Sequence, residues 1–174
     1  MSKTALAVLA FVFLTLASIP MSAQLIPHGN VYAGVSYGQL TDAVNQQSYR
    51  GWEGTGEFFP FARYAHLSFV IDGSGYYRNN EFASIHQYNG MGGVRWSYNY
   101  GKFRIFVHGM GGYQRVTSAG VIYDHAVEDG GGGLDYKLPF KNFSWRIQGD
   151  YVHTSYASAT QNDYRASTGI VWRF

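Results

Sequence analysis

Apolar and polar residues alternate one by one along most of the chain, the period of a half-buried β-strand, and the 3.6-residue helical period is missing beyond the first two dozen positions. One face reads Val31, Ala33, Val35, Tyr37; Trp52, Gly54, Gly56, Phe58; Ala65, Leu67, Phe69, Ile71; and Tyr88, Gly90, Gly92, Val94, Trp96, Tyr98. It continues with Phe103, Ile105, Val107, Gly109, Gly111, Tyr113; Gly130, Gly132, Leu134, Tyr136, Leu138; Phe143, Trp145, Ile147, Gly149, Tyr151; and Tyr164, Ala166, Thr168, Ile170, Trp172, Phe174. Eight strands are therefore predicted, each with a polar opposite face that includes Glu53, Glu57, His66, Arg95, Arg104, His108, Asp135, Lys137, Arg146, Asp150, Arg165 and Arg173.

The connections alternate in length. Tight turns are expected at Phe59–Ala62, Asn99–Lys102 and Pro139–Asn142, and long polar loops near Gln39–Ser48, Gly73–Gln87, Arg115–His125 and Ser155–Asp163. Short turns at one end and long loops at the other describe an up-and-down barrel of antiparallel hairpins. The repeated Gly-Met-Gly-Gly at 90–93 and 109–112 predicts a register for the fourth and fifth strands. A four-residue turn there sets Tyr98 against Phe103, Trp96 against Ile105, Val94 against Val107 and Met91 against Met110.

Volume decides which face points out. The apolar face carries about sixteen aromatic rings, whereas the interior of an eight-stranded barrel is only just wide enough to be filled by side chains. Turned outward, Tyr98, Phe103, Phe143, Trp145, Trp172 and Phe174 gather beside the tight turns, and Tyr37, Tyr88, Tyr113, Tyr151 and Tyr164 beside the loops. Amphipathic rings favour the headgroup level of a bilayer, so these are two interfacial girdles with a lipid-facing band between them. The fold class predicted is all-β, an eight-stranded antiparallel transmembrane barrel.

Composition narrows the function. Of the 174 residues 14% are charged and 18% aromatic, which excludes a solvated, unfolded chain. Lys and Arg number 13 against 11 Asp and Glu, so there is no basic excess for a nucleic acid backbone. The absence of cysteine excludes disulfides, thiolate metal clusters and a cysteine nucleophile. At the start, Lys3, the apolar run Ala5–Ala17, Pro20 and the small pair Ser22-Ala23 read as a secretory signal peptide over 1–23, leaving 24–174 as the barrel domain. The apolar run is about 13 residues, short of the roughly 20 that a spanning helix needs.

From about Gly29 to Phe174 the chain resembles the small eight-stranded outer-membrane β-barrels of the OmpA-like or opacity-like family. The resemblance is carried by Thr168-Gly169-Ile170-Val171-Trp172-Arg173-Phe174, which alternates and ends in phenylalanine, and by the glycine-rich strand Gly130 to Tyr136. It implies an outer-membrane location in a diderm bacterium, with loops extracellular, turns periplasmic and outer-membrane lipid around the barrel. It also implies biogenesis through periplasmic chaperones and the barrel assembly machinery, for which Ile170, Trp172 and Phe174 form the assembly signal. Nothing follows Phe174, so no periplasmic peptidoglycan-binding domain is expected.

Candidate chemistry is sparse. Gly130–Gly133 lacks the Gly-Lys-Ser/Thr of a phosphate loop and sits in a strand, so no nucleotide or other cofactor is expected. The six histidines show no paired ligand spacing, and no metal site is assigned. His153-Thr154-Ser155 resembles the His-x-Ser of outer-membrane lipid A deacylases, but Tyr156 stands where that family has asparagine, and no carboxylate is placed to orient His153. The expectation is therefore a non-enzymatic scaffold that displays four loops for surface interaction or adhesion, its extracellular ligand unidentified. Its lumen is closed by a charge network of Glu53, Glu57, Arg95, Arg104, Asp135, Lys137, Arg146, Asp150, Arg165 and Arg173. A deacylase-like hydrolase and a narrow solute pore are the alternatives.

Overall fold

The computed structural model describes residues 28–41, 46–60, 66–79, 84–118, 121–155 and 160–174. The signal segment, Ala65 and the second half of the first tight turn lie outside the described residues. Eight strands follow one another: β1 (Gly29–Thr41), β2 (Gln46–Phe58), β3 (Leu67–Asn79), β4 (Ser84–Tyr100), β5 (Phe103–Ser118), β6 (Val121–Lys137), β7 (Phe143–Ser155) and β8 (Thr160–Arg173). Each pairs antiparallel with its sequence neighbours, and β8 pairs with β1 to close the barrel. Closure satisfies every strand edge, which is what a sheet surrounded by hydrocarbon requires.

The predicted apolar face points outward. Val35, Ile71, Val94, Val107 and Ile147 form an exposed aliphatic band. The rings of Tyr98, Phe103, Trp145, Trp172 and Phe174 flank it at the turn end, and those of Tyr37, Tyr88, Tyr113, Tyr151 and Tyr164 at the other. The inner face is mainly polar and buried, and it encloses a small apolar cluster of Val70, Met91, Met110, Val127 and Val152.

Two expectations need correction. The turn between β4 and β5 is the two-residue Gly101-Lys102, so Tyr100 faces Phe103, Tyr98 faces Ile105 and Trp96 faces Val107. Gly101 takes φ +60°, the left-handed conformation that a tight hairpin needs at its first central residue and that glycine adopts without Cβ strain. In this register the repeats interlock, Met91 opposite Gly112 and Met110 opposite Gly93. A Cβ on Gly93 would sit 2.7 Å from the Cα of Met110, and one on Gly112 the same distance from that of Met91, so each methionine strand packs against a bare backbone.

The second correction concerns the long loops. Most of Gly73–Gln87 and Arg115–His125 is strand, and only positions 42–45, 80–83, 119–120 and 156–159 separate the paired strands at that end, outside the described residues. Hairpin pairing continues past the apolar belt because backbone hydrogen bonds form in water as well as in lipid, so the polar composition there marks solvent and not irregular chain.

Candidate functional site

The lumen holds two linked groups of charges. Near the turn end, Glu57 on β2 accepts hydrogen bonds from Asn30 Nδ2 at 2.8 Å, Ser68 Oγ at 2.6 Å and Arg104 Nη1 at 3.0 Å, with a second, very short contact to Arg104 Nη2. Arg95 Nη1 approaches the same carboxylate at 3.5 Å and Arg146 Nη2 at 3.8 Å. Asp135 on β6 accepts a two-pronged contact from Arg146, Nε at 2.7 Å and Nη2 at 3.0 Å, and is also reached by Arg104 at 3.3 Å and Arg173 at 3.5 Å. The Phe106 ring lies 4.2 Å from the Arg95 guanidinium and 4.6 Å from that of Arg146, a cation–π contact on both.

Midway along the strands, Arg165 on β8 is the hub. Its Nε donates to Asp150 Oδ2 at 2.8 Å and its Nη2 to Asp129 Oδ2 at 2.9 Å, while Asp72 and Glu53 lie 3.7 and 3.8 Å away. Gln148 Nε2 bridges Glu53 at 2.6 Å and Asp150 at 3.2 Å, and Thr55 donates to Asp72 at 3.0 Å. His108 joins the two groups: Nδ1 faces Arg95 Nη2 at 3.4 Å, and Nε2 stands 3.2 Å from Asp129 Oδ1 and 3.1 Å from Asp150 Oδ1.

The charge is unevenly shared. Among the described residues, Arg95, Arg104, Arg146 and Arg173 face Glu57 and Asp135 at the turn end, whereas at mid-height Glu53, Asp72, Asp129 and Asp150 share one guanidinium, that of Arg165, with His108 beside the last two. Apart from Arg173 these groups are almost wholly removed from solvent. A buried ion is costly unless its partners replace its water, and here each guanidinium finds at least one carboxylate.

The structure brings together nine of the ten residues expected in the network. The tenth, Lys137, is exposed at the last position of β6, and among the described residues no ion pair includes it. At the rim its long side chain reaches water more cheaply than the packed interior. Three ionisable participants were missed in the sequence: Asp72, just past the expected end of its strand, Asp129, just before the expected start of its own, and His108, read as an isolated polar-face residue.

On the outer face, the His153 imidazole meets an amide and not a carboxylate: its Nδ1 lies 2.7 Å from Asn162 Oδ1. Ser155 is exposed on the same face, with no side-chain hydrogen bond among the described residues. Ile170, Trp172 and Phe174 line the outer face of β8, and the rings of Trp172 and Phe174 lie 5.2 Å apart.

No family model matches this chain, and no curated protein matches it in sequence. Solved structures do. Neisserial surface protein A superposes with a TM-score of 0.70 at 10% identity, covering 84% of this chain and 97% of the other. Ail, the attachment invasion locus protein of Yersinia pestis, solved with the heparin analogue sucrose octasulfate, gives 0.61 at 11% identity over 84% and 98%. The N-terminal β-barrel domain of Pseudomonas aeruginosa OprF gives 0.54 at 11% identity over 82% and 97%. Closed by eight antiparallel strands, girdled outside and charged within, the chain has the fold of the small OmpA-like outer-membrane barrels.

Proposed function

We propose that the protein is an integral outer-membrane scaffold with a closed lumen, which presents its four hairpin tips outside the cell for contact with surfaces or macromolecules. The observation that carries the closed lumen is the Glu57–Arg104–Asp135–Arg146 cluster, which ties β2, β5, β6 and β7 together across the interior with every member nearly solvent-free. A solute path would have to break these pairs, at a cost of several kcal/mol each by the usual penalty for an uncompensated buried charge, about 3–5 kcal/mol. The membrane location is supported by the aliphatic band between two aromatic girdles, a surface that is unfavourable in water and matched to a bilayer.

The contact role is supported by the polar, tyrosine-rich strand ends on the side away from the tight turns, and by the sulfated ligand in the Ail structure. Two measurements, one on purified protein and one on expressing cells, test the reading. In planar bilayers the protein conducts no current above the lipid baseline; a stable porin-like conductance overturns the closed lumen. Cells expressing it adhere to immobilised sulfated glycan or matrix more than cells carrying a variant with Gly-Ser at 42–45, 80–83, 119–120 and 156–159. Equal adhesion discards the contact role.

A further inference from the structure

We propose that His108, Asp129 and Asp150 form a buried binding site for a first-row divalent cation of the zinc class, spanning β5, β6 and β7 inside the lumen. The three donor atoms converge within 4.8 Å of one another. Metal–ligand bonds of about 2.0–2.1 Å at a tetrahedral angle place neighbouring donors about 3.3 Å apart. His108 Nε2 lies 3.2 Å from Asp129 Oδ1 and 3.1 Å from Asp150 Oδ1, close to the edge length of such a shell. One imidazole nitrogen with two carboxylate oxygens is a donor set that zinc-class ions take.

Two further observations point to a ligand and not to a simple ion pair. Arg165 holds the far oxygen of each aspartate, Oδ2 of Asp129 at 2.9 Å and Oδ2 of Asp150 at 2.8 Å, which turns both Oδ1 atoms toward His108. This is the outer-shell support that orients metal ligands. Asp150 Oδ1, on a side chain 4% exposed, lies 3.1 Å from His108 Nε2 without the alignment of a hydrogen bond, on the side where the other two donors meet. Charge argues the same way: the four carboxyl groups of Glu53, Asp72, Asp129 and Asp150 gather around the single guanidinium of Arg165 and the His108 imidazole, and a divalent ion offsets part of the negative charge they hold.

With an ion on Nε2 the neutral imidazole carries its proton on Nδ1. That proton removes the acceptor that Arg95 Nη2 meets at 3.4 Å, so ion binding exchanges this contact for the metal, and Arg95 keeps the Glu57 carboxylate at 3.5 Å and the face of Phe106. The site is buried, so it loads as the barrel folds and ties three neighbouring strands together on the lumen wall.

The test is to refold the full chain into detergent with Zn²⁺, wash with chelator, and count the metal that stays. About one zinc per chain is expected on the wild type and on a variant with His125→Gln and His153→Gln, and a loss of at least tenfold in His108→Gln and in Asp150→Asn. No retained zinc on the wild type, or retention unchanged in His108→Gln, overturns the proposal. If neither lumen variant shows the mobility shift of a folded barrel, zinc-edge X-ray absorption of the wild type decides. One imidazole with oxygen donors near 2 Å supports the site, and two or more imidazoles overturn it.

Discussion

Replacing Asp135 by asparagine keeps the shape of the side chain, removes one negative charge, and leaves the turn-end guanidiniums short of a partner. Asp135 is 0% exposed and accepts from Arg146 at 2.7 and 3.0 Å, with Arg104 at 3.3 Å and Arg173 at 3.5 Å. After the substitution, four arginines face Glu57 alone, and an amide N–H₂ points at one of them. Breaking one partner out of a buried pair costs about 3–5 kcal/mol. With an m-value of about 2 kcal/mol per M, the urea midpoint in detergent falls by about 1.5–2.5 M. The control is Arg115→Ala, whose pair with Asp124 is 60% and 51% exposed; an exposed pair is worth about 0.2–1 kcal/mol. A double-mutant cycle between Asp135→Asn and Arg146→Met is expected to show coupling above about 1 kcal/mol, as for residues in one network. If Asp135→Asn costs no more than Arg115→Ala, the lumen solvates its charges and the argument for a closed interior fails.

Further predictions concern the strand pairing, the terminus and the outer face. Cysteines at Tyr98 and Ile105 form an intramolecular disulfide in the folded barrel, whereas cysteines at Tyr98 and Phe103 do not; the reverse restores the four-residue turn. Phe174→Ala lowers the folded, heat-modifiable fraction in cells several-fold while moving the detergent midpoint little, because the ring is 44% exposed; equal cellular yields discard an assembly role. Ser155→Ala leaves the acylation of lipid A in expressing cells unchanged, as judged by mass spectrometry. A deacylated lipid A species that disappears with this substitution overturns the non-enzymatic reading.

The alternation of Phe103 to Tyr113 and Phe143 to Tyr151 was readable because a pleated strand between lipid and lumen must change polarity at every residue. The direction of the faces was readable from volume alone. The β4–β5 register was not, since a glycine at position 101 serves a two- or a four-residue turn, and the outward face is apolar either way. Asp72 and Asp129 escaped because apolarity marks only the part of a strand that crosses lipid. Outside that band the ladder runs on through residues whose side chains meet water, and composition there resembles a loop. The meeting of His108 with Asp129 and Asp150 has no local signal at all, because three separate strands supply it and only the register aligns them.

The seam between the first and last strands has a consequence for how the molecule comes into being. Gly29 and Phe174 exchange backbone hydrogen bonds at 3.2 and 3.1 Å, and the pairing runs from Asn30–Arg173 to Leu40–Asp163. The contacts that complete the cylinder are thus the most distant in sequence that the described chain contains, and they become available only once β8 has been synthesised. Any shorter intermediate carries two raw edges, on β1 and on its latest strand, each a row of unanswered amides and carbonyls that invites pairing with another copy. Loop-closure entropy is paid in full before that last ladder returns anything, which makes such topologies slow. Either half of the barrel alone therefore carries two unpaired strand edges. The cylinder exists only once β8 meets β1, and removing β8 opens the edges of both β1 and β7, so that the closure of the whole wall is lost and not one eighth of it.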